Sequence, residues 1–301
     1  MRFKPGLFSA LFLAALFHAG HAAAQGTAYR FNKVADGVYL AVSSSATATN
    51  VPVIVSDQDA ILVGTHLSPA AARALIDQLK SITDKPVRYI INTHYHAPQA
   101  NAPREAYPAG IEVIGHELAR RTVLLDSASK PRPPAGVAPP TLGMTTRLAL
   151  YRGDREIRVL YLGRGHTDND LVVLLPKEHL LCTGELLTSF VPDMSEGNIT
   201  EWVSTLESMK LLDFDTILPA RGAPIAGKAR ISAVQSYMRD VLSQVTALVN
   251  LNKDMSPEDI AKRVNLTSHQ KDFPEIKGPG VDPGAVKRLE TQIEEDPPFE
   301  P

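Results

Sequence analysis

Three histidines and one glutamate each follow a segment that reads as a buried strand. His94 and His96 come directly after the apolar run 87–92, His166 follows a second run, and Glu185 follows a third. Side chains at neighbouring strand ends can converge on one ion, and imidazole nitrogens with a carboxylate oxygen suit Zn²⁺ or Fe²⁺. The H-x-H spacing alone is a weak signal because it also occurs on surfaces. Spacing therefore leaves two interpretations open, a metal site and merely packed or solvated histidines.

The elements that must position these residues are short strands interleaved with helices. Short apolar, β-branched runs indicate the strands, and apolar residues spaced three or four positions apart indicate the helices. The alternation favours an α/β layered fold with a mixed sheet. Strands are predicted at 37–42, 51–55, 60–63, 87–92, 111–114 and 216–218, hairpins at 148–162 and 171–183, and helices from 68, 117, 198 and 228.

Four short motifs follow one another along the chain. They are NTHYH at 92–96, GHTDND at 165–170, TGE at 183–185 and LPARG at 218–222. In this order they resemble the metallo-β-lactamase superfamily, whose motifs read T-H-x-H-x-D-H, G-H-T, G-D and P-G-H-G. The resemblance covers essentially all of residues 25–301. It implies an αββα sandwich of two mixed sheets flanked by helices, with the site at one edge of both sheets, and an ancestry of metal-assisted hydrolysis.

The resemblance implies a retained first metal site and a lost second one. The family binds two ions, and His94, His96 and His166 match the three histidines of its first site. The positions of the second-site ligands hold Pro98, Gln99 and Arg221. Proline has no donor, glutamine is a poor ligand and arginine carries its own positive charge.

Two further family positions have changed as well. Glu185 replaces the bridging aspartate, and Gly64 replaces the aspartate after the early strand. Random decay would affect both sites alike, whereas here the first-site histidines are all kept. The pattern favours one Zn²⁺ or Fe²⁺ per chain over an empty site, and disfavours two ions.

Glu185 and Arg221 are the candidate catalytic residues. Glu185 either completes a His₃Glu ligand set, which makes it the fourth metal ligand, or takes a proton from water and leaves a coordination position open. Arg221 either binds a carboxylate, sulfate or phosphate in place of the second ion, or forms a structural salt bridge with Glu185 or a nearby aspartate. His66 is a further candidate ligand or base, with a solvated side chain as the alternative.

Two function hypotheses of different classes follow. The first is an exported mononuclear metal-dependent hydrolase acting on a lactam, ester, thioester or lactone, with a mononuclear iron oxygenase of the same superfamily as a close variant. The second is a non-catalytic descendant that kept the fold for binding or structure. The expected partner is a small molecule, with anionic molecules among the candidates. The sequence does not identify the substrate, because loops around the pocket determine it. Loops such as 131–140, with five prolines, contain no residue pattern that indicates a substrate.

Composition and charge narrow the class of partner and the domain layout. The chain has 301 residues and a formal net charge of −2, so it lacks the excess of positive charge that would indicate nucleic-acid binding. Cys182 is the single cysteine, which excludes an intramolecular disulfide.

We expect a signal peptide at 1–24, a metallo-β-lactamase-like domain at 25–227 and a helical extension at 228–301 packed on that domain. The sequence does not indicate an oligomeric state.

The first 24 residues have the pattern of a secretory signal. Arg2 and Lys4 give a positive start, and 6–17 is an apolar run too short to span a membrane comfortably. Ala22 and Ala24 supply the A-x-A cleavage pattern before Gln25. We therefore expect an exported protein, periplasmic or secreted, with no stable membrane span after cleavage.

Mass spectrometry of the exported protein tests this expectation. The chain should begin at Gln25 or within a residue or two of it. An intact Met1 on membrane-free protein would contradict the predicted cleavage.

Overall fold

The computed structural model describes residues 28–44, 49–64, 69–96, 109–129 and 139–295. The predicted signal peptide, His66, Pro98, Gln99 and most of the proline-rich segment lie outside these ranges. Among the described helices, none combines the length and hydropathy that a membrane span requires.

The first sheet contains seven of the described strands in chain order. The first four pair antiparallel, and the fourth to the seventh pair parallel. Helix α1 (Pro69–Leu79) connects β4 to β5, and α2 (Glu117–Ser129) follows β6. The strands are β1 (Tyr29–Ala35), β2 (Val38–Ser43), β3 (Val51–Val55), β4 (Ala60–Val63), β5 (Val87–Ile91), β6 (Glu112–His116) and β7 (Leu142–Met144).

The second sheet contains six described strands in the order β13-β12-β11-β10-β9-β8. The strands are β8 (Arg147–Arg152), β9 (Arg155–Tyr161), β10 (Leu171–Leu175), β11 (Leu180–Gly184), β12 (Thr216–Pro219) and β13 (Ile225–Ala226). Only β11 and β12 pair parallel, and helix α3 (Ile199–Lys210) connects them. The two predicted hairpins are confirmed as β8–β9 and β10–β11, whereas β1, β7 and β13 were not predicted.

Strand β10 shows how the layers stack. All five of its residues are buried, and side chains alternate between the two faces of a strand. Leu171, Val173 and Leu175 lie in the core between the two sheets. Val172 and Leu174 lie in the core between the second sheet and the helices. A third apolar cluster joins the outer face of the first sheet to α1, which completes the predicted αββα sandwich of two mixed sheets.

Three helices after residue 228 cover the outer face of the second sheet. They are α4 (Ala229–Leu251), α5 (Pro257–Arg263) and α6 (Pro283–Glu295). Their apolar residues share one buried cluster with Trp202 of α3 and with Leu181 of β11. The helices and the second sheet therefore have a common core, and the boundary at residue 228 stays a prediction.

Arg155 links the two sheets at the end of the sandwich that lies away from the histidines. Its Nη1 donates to the carbonyl of Val55 at 2.6 Å, and its Nη2 donates to the carbonyl of Asp36 at 2.7 Å. Its Nε donates to Glu178 Oε1 at 2.8 Å, in an ion pair whose side chains are both buried. One guanidinium thus satisfies two carbonyls of the first sheet and a carboxylate of the second.

Candidate metal centre

Two hydrogen bonds between the sheets bring the predicted histidine motifs together. The backbone N–H of Leu171, which begins β10, donates to the carbonyl of Thr93 after β5 at 2.7 Å. The backbone N–H of Tyr95 donates to Asn169 Oδ1 at 3.0 Å, and Asn169 is fully buried. The loop that carries the H-x-H motif is therefore fixed against the loop that carries the G-H-T motif.

The three histidines that were predicted to hold a metal form a compact triangle. Their ring centroids are 4.9 Å apart for His94 and His96, 5.0 Å for His94 and His166, and 4.9 Å for His96 and His166. One ligand atom from each ring lies within 4.8 Å of the others. Elements from both sheets are needed to build this triangle, because His166 belongs to the second sheet.

Hydrogen bonds on the outer side of the triangle determine which ring nitrogens face inward. His166 Nδ1 lies 3.1 Å from the carbonyl of Asp193, which can only accept, so this nitrogen carries the hydrogen. His96 Nε2 lies 2.9 Å from Glu196 Oε2, and an ionised carboxylate likewise only accepts. In the neutral rings, His96 Nδ1 and His166 Nε2 are therefore bare, and they face each other at 3.0 Å.

Facing lone pairs and a buried nitrogen without a partner fit a bound cation. His94 Nε2 is buried and has no hydrogen-bond partner among the described residues, while its Nδ1 lies 3.2 Å from Thr93 Oγ1. Burial lowers the pKa of His94 well below its ordinary value and also lowers the pKa of His166. Both rings are then neutral at pH 7, with lone pairs available for Zn²⁺ or Fe²⁺. The residues present thus fit one metal ion.

Glu185 lies beside the triangle and is bound by Arg221. Its Oε2 lies 3.8 Å from His166 Nε2. Its Oε1 accepts a hydrogen bond from Arg221 Nε at 3.2 Å and forms an ion pair with Arg221 Nη2 at 3.1 Å. The salt bridge that the sequence offered as one interpretation of Arg221 is therefore present. The Arg221 side chain is still 53% exposed, and its Nη1 has no hydrogen-bond partner among the described residues.

A cleft of about 410 Å³ opens beside this ion pair. His166, Glu185 and Arg221 line one side of it, and Phe190 and Val191 line another. This volume is in the range of small-molecule sites, which combine apolar walls with a few placed polar groups. The two candidate catalytic residues and one metal-site histidine thus share a cleft of the size a small substrate needs.

Gly184 allows β11 to approach the H-x-H loop closely. Its φ is +57°, and a Cβ at this position would lie 2.7 Å from both Cβ and Oγ1 of Thr93. The carbonyl of Gly184 also accepts from the backbone N–H of Ala220 at 2.9 Å, next to Arg221. One glycine thus sets the distance between Glu185 and the histidines.

Three polar residues that sequence analysis missed hold the site in place. Asn169 stands inside the G-H-T motif, so its position was a visible signal. Asn50 Nδ2 donates to the carbonyls of Pro219 at 3.1 Å and Gly222 at 2.8 Å, on either side of Arg221. Glu196 accepts from His96, and Asn50 and Glu196 belong to none of the recognised motifs.

Glu196 also accepts a hydrogen bond from the hydroxyl of Tyr95. The hydrogen bonds from Tyr95 and then His96 hold the pKa of the Glu196 carboxyl below its ordinary value. This group is therefore a carboxylate at neutral pH, as the assignment of the His96 tautomer requires.

Residues 45–221 match the family model described as the metallo-β-lactamase superfamily, and this range covers more than half of the chain. The chain belongs to the metallo-β-lactamase superfamily. Members of this superfamily bind metal ions, in agreement with the histidine triangle. Within the described residues, His94, His96 and His166 are the one group of three or more potential metal ligands that lie close together.

Relatives with curated functions are distant in sequence. A linear primary-alkylsulfatase from a Pseudomonas species is 21% identical in an alignment 263 residues long, gaps included, that covers 72% of this chain and 50% of the relative. This chain therefore spans about half the length of that enzyme. A type 2 metallo-β-lactamase from a Bacillus species is 24% identical over 186 residues, which are 60% of this chain and 69% of the relative.

Solved structures show the same fold. A metallo-β-lactamase from Pseudomonas aeruginosa in its mono-zinc form matches with a TM-score of 0.60 and 16% identity, covering 70% of this chain and 95% of that chain. At this identity the match shows the superfamily's αββα fold alone.

Substituting Gly184 tests the close approach to Thr93. Gly184→Ala must adopt a positive φ and also displace Thr93, whereas Gly227→Ala faces only the first problem, because its φ is +65° and a Cβ there meets nothing within 4 Å. We expect Gly227→Ala to lower the free energy of unfolding by about 1–2 kcal/mol. Gly184→Ala should lower it by a further ~1–3 kcal/mol, the range for overpacking.

The measurement is denaturant unfolding of both variants beside the parent. Equal losses for the two variants would mean that Thr93 moves aside freely and that Gly184 does not set the site's geometry.

Proposed function

We propose that this chain is an exported hydrolase that uses one metal ion and acts on a small anionic substrate. The observation that carries the proposal is the set of three inward-facing nitrogens, with His96 Nδ1 and His166 Nε2 bare at 3.0 Å and His94 Nε2 buried without a described partner. His94, His96 and His166 would hold one Zn²⁺ or Fe²⁺. The mono-zinc form of the Pseudomonas aeruginosa protein supports a single ion in this fold, and the signal-like pattern of 1–24 supports export.

The chemistry of the reaction is divided between the ion and two side chains. A divalent ion held by His94, His96 and His166 would supply a Lewis acid that polarises the bond to be cleaved and makes water easier to deprotonate. Glu185 stands outside the compact group of three histidines. Arg221 holds its Oε1, which leaves Oε2, on the side of His166, to accept a proton from the attacking water. We therefore assign Glu185 as the base and not as a fourth ligand.

Arg221 supplies positive charge where the second ion's ligand stands in the superfamily. Its guanidinium is half-exposed in the cleft beside Phe190, so it can bind an anionic group while an apolar part of the substrate packs on the wall. The names of the two curated relatives point to a sulfate ester for one and a lactam for the other. We infer a substrate of the ester, thioester, lactam or lactone class that carries a negative charge.

Metal analysis of the purified chain tests the site. We expect about one equivalent of metal, because one complete ligand set is present. His94→Ala combined with His96→Ala should abolish binding, and Glu185→Gln should keep the metal but lose turnover. His179→Asn is the matched control, since His179 lies at a hairpin turn with a side chain 47% exposed and should not affect metal content.

Each other outcome has a defined meaning. A value near two equivalents, or near zero after supplementation with zinc and iron, contradicts the mononuclear site. Zero metal in a folded chain would support the non-catalytic descendant instead. Loss of metal in Glu185→Gln would make Glu185 a ligand and not the base.

Anion affinity tests Arg221. Arg221→Ala should weaken the binding of sulfate, phosphate and small carboxylates by about 1.5–3 kcal/mol, the scale of a hydrogen bond to a charged group. Arg221→Lys should recover only part of this, because lysine lacks the planar fork. The double variant Arg221→Ala/Glu185→Gln removes the unpaired carboxylate, so a loss that persists there belongs to the guanidinium. Arg158→Ala, which breaks an exposed pair with Glu156 away from the cleft, is the control.

Calorimetric titration with each anion provides the measurement. If Arg221→Ala binds anions as the parent does while its thermal stability falls, Arg221 is a salt-bridge partner of Glu185 and does not recognise substrate charge.

A further inference from the structure

Tyr95, His96 and Glu196 form a cluster on the outer side of the histidine triangle. His96 Nε2 lies 2.9 Å from Glu196 Oε2, and the hydroxyl of Tyr95 donates to the same oxygen. The other nitrogen of His96 faces inward, 3.0 Å from His166 Nε2. The carboxylate therefore contacts the one ring nitrogen of His96 that cannot serve the metal site.

The loop that carries Glu196 is fixed on both sides. The backbone N–H of Asn198 donates to the carbonyl of Gly165, next to His166, at 2.7 Å. The carbonyl of Gly197 accepts from Arg288 Nε at 2.9 Å and Gln292 Nε2 at 2.8 Å, both on α6. The same loop supplies the Asp193 carbonyl that lies 3.1 Å from His166 Nδ1. One anchored loop thus contacts two of the three histidines from outside.

A neutral imidazole has one bare nitrogen, and the position of its hydrogen decides which nitrogen that is. With an acceptor at Nε2, the hydrogen stays on Nε2 and Nδ1 is bare. Without that acceptor, the ring can place the hydrogen on Nδ1 or rotate about its side chain, and only a fraction of molecules then presents a ligand. Carboxylate partners of this kind commonly raise metal affinity by 10–100-fold, as a rough scale.

We propose that Glu196 is a positioning residue of the metal centre, whose carboxylate keeps the hydrogen of His96 on Nε2 and so directs Nδ1 to the ion. This inference rests on the metal binding in the proposed function. The competing explanation is an ordinary exposed contact, because the Glu196 side chain is 58% exposed. An ordinary contact of that kind would change neither the tautomer of His96 nor the affinity for zinc.

Zinc affinity of purified variants, measured by competition with a chelating dye, is the first arm of the test. Glu196→Ala should bind Zn²⁺ about 10–100-fold more weakly than the parent. Glu196→Gln keeps a neutral acceptor and should lose less. Glu201→Gln is the matched control, because Glu201 is 51% exposed and pairs with Arg164 at 3.3 Å. Its zinc affinity should equal that of the parent.

The second arm reads the tautomer directly in metal-free protein. Long-range ¹H–¹⁵N spectra should show the hydrogen of His96 on Nε2 in the parent and in Glu201→Gln, and a shift toward Nδ1 or a mixture in Glu196→Ala. The thermal midpoint of metal-free Glu196→Ala should equal that of the parent. A lowered midpoint with an unchanged tautomer would identify a structural role and overturn the inference.

The two arms separate this inference from the proposed function. A parent chain that binds neither zinc nor iron would overturn the proposed function, and with it the role of Glu196 toward a metal. A parent that binds zinc, with Glu196→Ala binding it equally well, would overturn the inference alone.

Discussion

The hydrogen bond from the backbone N–H of Leu171 to the carbonyl of Thr93, at 2.7 Å, joins the two sheets at the edge where the histidines lie. His94 and His96 extend from the first sheet and His166 from the second, so neither sheet alone holds more than two of the three. Leu171 and Thr93 are buried, and an unpaired backbone group in such a place costs about 1–3 kcal/mol. The second contact, from Tyr95 to Asn169, adds a side-chain acceptor to the same edge. The two motif loops therefore cannot separate without leaving buried polar groups unpaired.

Contacts elsewhere in the sandwich hold the two sheets in position relative to each other. At the opposite end, Arg155 bonds two carbonyls of the first sheet and Glu178 of the second. Between the two ends, an apolar core formed by both sheets excludes water. At the site itself, α6 anchors the loop of Glu196 through the carbonyl of Gly197, so a helix from the C-terminal part of the chain supports the histidines indirectly. The position of three imidazoles thus depends on both sheets and on helices far from them in sequence.

Local patterns predicted most of the fold, because buried strands and amphipathic helices are visible as apolar runs and 3/4 spacing. Strand β1 was missed because most of its residues are only partly buried and no apolar run marks it. Strands β7 and β13 were missed because they have only three and two residues. The histidines were predictable because each stands in a motif a few residues long. Glu196 and Asn50 were not, because their partners His96 and Gly222 are 100 and 172 positions away, and such pairings follow only from the folded chain.

The two interpretations of Arg221, salt bridge and anion clamp, are compatible in the folded protein. A guanidinium has five N–H donors. The one on Nε donates to Glu185, and one on Nη2 lies on the same side, with that nitrogen 3.1 Å from the same oxygen, which leaves three of the five. Those three lie on Nη1 and Nη2, along a second edge that can still bind a planar anion with two parallel hydrogen bonds. The salt bridge orients that edge, and the same contact keeps the buried carboxylate of Glu185 from standing unpaired. In the proposed function, a single guanidinium thus both holds the carboxylate of Glu185 and presents donors to an anionic substrate, two tasks for which lysine, with its point charge, has no equivalent geometry.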